Sequence, residues 1–236
     1  MHRFSFQKTY RLGLMAAAIS MVGCGGGDGT SEHATPSVVV NLPDFVIDQH
    51  TQGNALVQNL GAFPAHINPS QSNMVFRAEL LLKDYLAVNR YGHFAIVLRC
   101  DPGVIREKVL GQGYIGGYLY DRDATSYLET WFNTYEVGDY LDNIVFHEQR
   151  APDGSLKDHV RYQLTVESLV EEPNRYLRFA ITDQAGFHFD TGYVADPNKV
   201  FNPAHNCLTV GHVFETSLQG WSIEFSNPTL EYIPRD

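Results

Sequence analysis

Apolar and polar residues alternate with a period of two along much of this chain, the spacing of strands that bury one face. Between Met74 and Leu82, Phe76, Ala78, Leu80 and Leu82 alternate with Arg77 and Glu79. Phe94, Ile96, Leu98 and Cys100 oppose His93, Ala95, Val97 and Arg99. Val160, Tyr162, Leu164 and Val166 alternate with Arg161, Gln163, Thr165 and Glu167. After Glu171-Glu172-Pro173-Asn174, Leu177, Phe179 and Ile181 alternate with Arg178 and Thr182, so this pair of runs predicts an antiparallel hairpin. Shorter β-rich pieces run over 38–40, 45–47, 118–120, 128–134, 144–147, 187–189, 208–214, 221–225 and 229–233. Pro152-Asp153-Gly154-Ser155 and Asp183-Gln184-Ala185-Gly186 are turn chemistry. Residues 76–86 carry a competing helical signal in Leu80-Leu81-Leu82-Lys83. Roughly a dozen short strands with no alternating helices predict an all-β fold, a two-sheet antiparallel sandwich over 38–236.

The start of the chain departs from this rhythm. Arg3, Lys8 and Arg11 precede a run of apolar or small residues from Leu12 to Gly23, and no acidic residue occurs before Asp28. A basic end and an apolar core of this length form a secretory signal, too short to span a bilayer as a mature helix. Met21-Val22-Gly23-Cys24, followed by Gly25-Gly26-Gly27, resembles the lipobox of bacterial lipoproteins, with Met21 where Leu is usual. That resemblance implies a signal peptide over 1–23, cleavage before Cys24, lipidation of Cys24 and a membrane-anchored protein in the cell envelope. Gly25 after the cysteine, rather than Asp, resembles lipoproteins sent on to an outer membrane. The segment 24–37 then reads as a flexible tether with a reach of about 20 Å.

Composition narrows the partners. Three of the 17 Lys and Arg lie in the signal, which leaves 14 against 27 Asp and Glu, a net charge of −13 with His neutral. Such a domain is repelled by nucleic acid phosphates and by anionic lipid surfaces, so membrane contact falls to acyl chains and nucleic acid is excluded as a partner. With Cys24 assigned to lipid, Cys100 and Cys207 remain as candidates for one disulfide, the alternative being two buried free thiols.

Three stretches resemble the concanavalin A-like lectin/glucanase (LamG-like) jelly roll. These are Val75–Leu80 with Gly92–Arg99, the hairpin Val160–Asp183, and the ending Gly220–Tyr232, and the resemblance spans 38–235. It implies a sandwich with one concave and one convex sheet. Glucanases of this superfamily use E-x-D-x-x-E or E-x-D-x-E on one strand, where nucleophile and acid share a face. Neither pattern occurs; Glu129-Thr130-Trp131 begins such a run without a following carboxylate, and Asp121-Arg122-Asp123 reads as a turn. Carboxylates brought together from different strands stay open. Alginate-lyase relatives use an Arg/Glu strand, a Q-x-H strand and a late Tyr. Arg77-x-Glu79 is similar to the first element, but no Q-x-H occurs and Gln49-His50 is adjacent.

No recurrent zinc spacing appears in His205 and His212 or in His188 and Asp190, and no cofactor is expected, though a weak structural Ca²⁺ site stays open. G-x-S-x-G is absent, and Gly111-Gln112-Gly113-Tyr114-Ile115-Gly116 lacks a βαβ context and reads as a loop. If Phe76, Ala78, Leu80 and Phe94, Ile96, Leu98 face the core, Arg77, Glu79, His93 and Arg99 share the other face, with Tyr118, Tyr120, Trp131 and Asn133 on neighbouring strands. Aromatic rings beside fixed polar groups suit a sugar, which stacks its C–H face and bonds its hydroxyls. The sequence thus reads as a lipoprotein whose sandwich binds carbohydrate or an envelope partner without catalysis. The alternatives are a glycosidase or lyase with an unconventional site, or a structural or assembly lipoprotein.

Overall fold

The computed structural model describes residues 35–51, 54–85, 93–100, 113–120, 126–133, 145–150, 156–196, 202–212 and 219–235. The signal, Cys24, most of the tether, Asp121-Arg122-Asp123 and the turn at 152–155 lie outside them. Fourteen strands form within the described residues. They are β1 (Val38–Asn41), β2 (Phe45–Asp48), β3 (Asn54–Asn59), β4 (Ser72–Lys83), β5 (His93–Leu98), β6 (Gly113–Tyr120) and β7 (Ser126–Asn133). Then come β8 (Val145–Arg150), β9 (Arg161–Glu171), β10 (Asn174–Asp183), β11 (His188–Asp190), β12 (Val194–Ala195), β13 (Cys207–His212) and β14 (Ser222–Pro234).

Two antiparallel sheets result. The first, sheet A, has the order β1-β14-β4-β9-β10-β11, with β2 also on β14 and β12 also on β10. The second, sheet B, has the order β3-β13-β5-β6-β7-β8. The predicted hairpin is β9–β10, in continuous register from Glu171↔Asn174 to Tyr162↔Asp183. The helical signal at 76–86 loses to β4, whose backbone is paired by β14 on one side and β9 on the other. Propensity differences under about 1 kcal/mol per residue do not outweigh a strand held on both edges with one face in the core.

The core lies between the sheets. Sheet A contributes Phe76, Ala78, Leu80 and Leu82 of β4, Leu164 and Val166 of β9, and Leu177, Phe179 and Ile181 of β10. Sheet B answers with Phe94, Ile96 and Leu98 of β5 and Leu208 and Val210 of β13. The rings of Phe94 and Phe225 meet edge to face at 6.0 Å across the two layers, and Phe45 stacks on Phe225 at 4.5 Å. β14 changes the parity of its buried positions, from Ile223 and Phe225 to Leu230 and Tyr232. The cause is a bulge: Ser226 pairs Glu79 and Thr229 pairs Arg77, so three steps on β14 face two on β4. Asn227 sits in the bulge at φ 51°, a left-handed conformation that Asn tolerates, and its N–H donates to Asp44 Oδ1 at 2.8 Å.

Two further points bear on the site. The glycine-rich segment expected to be a loop is largely strand, because Gly113–Tyr120 pairs with β5 on one side and β7 on the other. The aromatic and β-branched residues around those glycines supply the strand preference that the glycines lack. Cys100 and Cys207 are joined in a disulfide, Cα atoms 5.0 Å apart, at the paired ends of β5 and β13.

Candidate functional site

The outer face of sheet A is charged, and its charges are paired with one another. Arg77 binds Glu231, Lys83 binds Glu224 at 2.5 Å, Arg161 approaches Glu79 at 3.6 Å and Arg235 approaches Glu171 at 3.3 Å. Arg178 Nε donates to Asp190 Oδ1 at 3.0 Å, and its guanidinium also lies 3.8 Å from Glu167. The hydrogen bond from Arg178 holds the Asp190 carboxyl below its usual range against the opposing effect of partial burial. Glu167 accepts from Asn73 and from the Tyr193 hydroxyl at 2.9 Å. Partial burial, and then this Glu167 contact, push the Tyr193 phenol upward. These pairs tie neighbouring strands together, and they occupy the groups that would otherwise bond a ligand's hydroxyls.

Arg99 takes no part in either outer face. At the end of β5 its φ of 57° breaks the alternation, and the side chain is fully buried. Its guanidinium donates to Ser168 Oγ at 2.8 Å, to the Ser72 carbonyl at 2.8 Å and to the Pro203 carbonyl, and lies over the Phe63 ring at 5.6 Å. A planar fork of donors is what such a set of fixed acceptors requires. Arg99 is an internal tie between β4, β9 and the segment before β13.

Sheet B carries the remaining candidates, and its register sorts them. Residues directly opposite in neighbouring strands share one side of a sheet. Phe94 pairs Tyr118, which pairs Leu128; Leu98 pairs Tyr114, which pairs Phe132. Phe94 and Leu98 belong to the core, so these rows are core-side. The intervening rows lie on the side away from the core. One is His93–Leu119–Tyr127–Arg150. The next is Gly211–Ala95–Gly117–Glu129–Glu148. The third is Thr209–Val97–Ile115–Trp131–Phe146, and Asn133 pairs Gly113 beyond it. Ala95, Val97 and Thr209 are fully buried although they stand on this side, so the β5–β13 half of the face is covered.

The expected eight-residue face is therefore divided. Arg77 and Glu79 are on sheet A, while His93, Tyr118, Tyr120, Trp131 and Asn133 are on sheet B. β4 and β5 follow each other in sequence but enter different sheets, so faces turned away from one core lie on opposite sides of the molecule. Tyr118 and, two residues on, Tyr120 occupy core-side rows of β6. His93, Trp131 and Asn133 do share one side. Joined to them are Tyr127, Glu129, Glu148 and Arg150, which sequence reasoning did not assemble. The signal was available within each strand, since Tyr127, Glu129, Trp131 and Asn133 alternate, as do Phe146, Glu148 and Arg150. Only the register joins the two sets. His188 and Asp190 fall on β11, where Asp190 is held by Arg178. Among the described residues no group of three His, Cys, Asp or Glu could hold a metal ion.

No protein-family model and no curated protein matches this chain. Among solved structures it resembles the legume lectin-like domain from Entamoeba histolytica, at 10% identity and a TM-score of 0.47, over 79% of this chain and 83% of that one. It also resembles a lectin from Bauhinia forficata in complex with GalNAc, at 8% identity and a TM-score of 0.44, over 85% of this chain and 100% of that one. A family 18 polysaccharide lyase is similar at 8% identity and a TM-score of 0.43, over 87% of this chain and 91% of that one. These are likenesses in the course of the chain, at identities too low to carry residues across.

Proposed function

We propose that this protein is a lipid-anchored envelope protein whose sandwich binds carbohydrate on the side of sheet B away from the core. The observation that carries the reading is the register of β5–β8, which puts Tyr127 and Trp131, with Glu129 between them, on the same side of the sheet as His93, Arg150 and Asn133. An aromatic platform two residues from a polar row, roughly 7 Å along a strand, suits a pyranose that stacks one face and bonds its rim. Gly117, in the row between Tyr127 and Trp131, carries no side chain, whereas Ala95 and Gly211 belong to the buried half of the sheet. Sheet A supports the choice by contrast, since its outer charges are already paired.

Full-length protein in detergent, displayed against an array of neutral and acidic glycans, tests the reading. Specific binding is expected, weakened about tenfold or more by Trp131→Ala, the loss of roughly 1.4 kcal/mol of stacking. Tyr127→Ala is the second variant, with circular dichroism to establish that each folds. Absence of binding, or binding indifferent to both changes, would leave an envelope protein as the partner instead.

A further inference from the structure

On the side of β1 and β2, sheet A ends in an edge that no described strand covers. The two strands run one after the other along the same side of β14, antiparallel to it, from Val38 to Asp48. The outward backbone of an edge strand offers unpaired donors and acceptors, which proteins usually blunt with proline or charge. Here Pro43 and Asp44 fall in the break between the strands, where Leu42 and Asp44 bond the bulge of β14, and neither blunts β1. The edge is apolar on both faces. Val38, Val40, Leu42 and Phe45 are only partly buried against the core. Val39 and Val46 stand on the outer face, 45% and 47% exposed. From Ala34 to Pro43 the sequence carries no charge, in a chain of formal net charge −10. Copies of so acidic a chain repel one another, and an uncharged apolar edge is where that repulsion is least.

We propose that this edge pairs with the same edge of a second copy, β1 against β2 of the partner, about a twofold axis between Leu42 and Pro43. Face parity supports this register, because directly opposed residues share one side of a sheet. Val39 of β1 and Val46 of β2 face outward, whereas Val38, Val40, Phe45 and Ile47 face the core. Setting Val39 opposite the partner's Val46 brings Val38 opposite the partner's Ile47 and Val40 opposite the partner's Phe45. Core side then meets core side, and the two exposed valines cover each other. Asp44 and Asp48 fall opposite the partner's Asn41 and the partner's Ser37, so no acid opposes an acid. Glu231 and Glu224, the strand neighbours of Val39 and Val46, hold Arg77 and Lys83 and bring no free acid to the contact. The axis falls where neither strand continues, so the N–H that Pro43 lacks costs no ladder bond. The contact is isologous and uses up this edge in both copies. It does not depend on the carbohydrate reading; where that reading holds, the dimer is bivalent.

Sedimentation of the full-length protein in detergent, over a range of concentrations, reads the oligomeric state, with circular dichroism to establish that each variant folds. A dimer is expected. Val46→Asp introduces an unpaired buried charge twice in the symmetric contact and should weaken the dimer about a hundredfold or more. Adding Val39→Lys sets a cation opposite that acid and should restore the dimer in part. Val39 and Val46 lie roughly 20 Å apart along one edge. Chains carrying Val39→Cys and chains carrying Val46→Cys should therefore cross-link when mixed under mild oxidation, and neither should do so alone. A monomer at every concentration overturns the proposal, and is the result expected if the edge serves an extended segment of a different protein. A dimer indifferent to Val46→Asp overturns it too, since the contact then lies elsewhere. Cross-linking by Val39→Cys alone sets β1 against β1 and overturns the register. Dissociation that Val39→Lys does not reverse, with no cross-linking in the mixture, also ends it.

Discussion

Arg99 shows how one side chain can bind two layers. It is fully buried, and its donors reach Ser168 on β9, the Ser72 carbonyl at the start of β4 and the Pro203 carbonyl ahead of β13. Arg99→Met would fill much of the same space and leave those acceptors without their guanidinium donor. Each buried group deprived of a partner costs about 1–3 kcal/mol, so we expect a loss of about 3 kcal/mol or more in urea unfolding. Arg99→Lys should recover little of it, because an ammonium on a flexible stem cannot reproduce the fork. A change below about 1 kcal/mol in both variants would mean that water or rearrangement replaces the network. Nothing local distinguished this residue from His93 or Arg77; the left-handed turn at its own backbone sent it inward.

At the scale of elements, alternation was legible wherever a strand has one wet side. The residues that β4, β9 and β10 give to the core cluster are those the period of two selects, although Val75 and Glu167 are buried on the other face. It was misleading where the backbone adds a step, as in β14, and where glycines dilute the signal, as in β6. The disulfide belongs to this scale, because it fastens the paired ends of β5 and β13 across 107 residues. Closing a loop of that length restricts the unfolded chain, so reduction is expected to lower stability by about 4 kcal/mol, read as a shift in the urea midpoint. The double variant Cys100→Ser with Cys207→Ser should match the reduced protein. Unfolding that is the same before and after reduction would show that the unfolded chain is already compact across this loop.

For the molecule as a whole, the charged face of sheet A and the mixed face of sheet B point away from each other, with the core between. Attachment at Cys24, as proposed above, is a separate question from which face binds. Metabolic labelling with a fatty acid tests that attachment: label is expected in the natural protein and absent from Cys24→Ser. Equal labelling of both would end the lipoprotein reading and leave the carbohydrate reading of sheet B to be judged by itself.

The all-β class, the positions of most strands and the buried half of each were readable from amino-acid order, because alternation is a property of neighbours along one strand. So were the basic, apolar start and the excess of acidic residues. Which strands share a sheet was not readable, because β4 and β5 are consecutive yet enter different layers, and β3 reaches β5 only through β13. The juxtaposition of Glu129 with Glu148 was hidden for the same reason. A shift of one residue between β7 and β8 would put the two carboxylates on opposite sides, and register is set by the packing of whole strands rather than by the residues that meet.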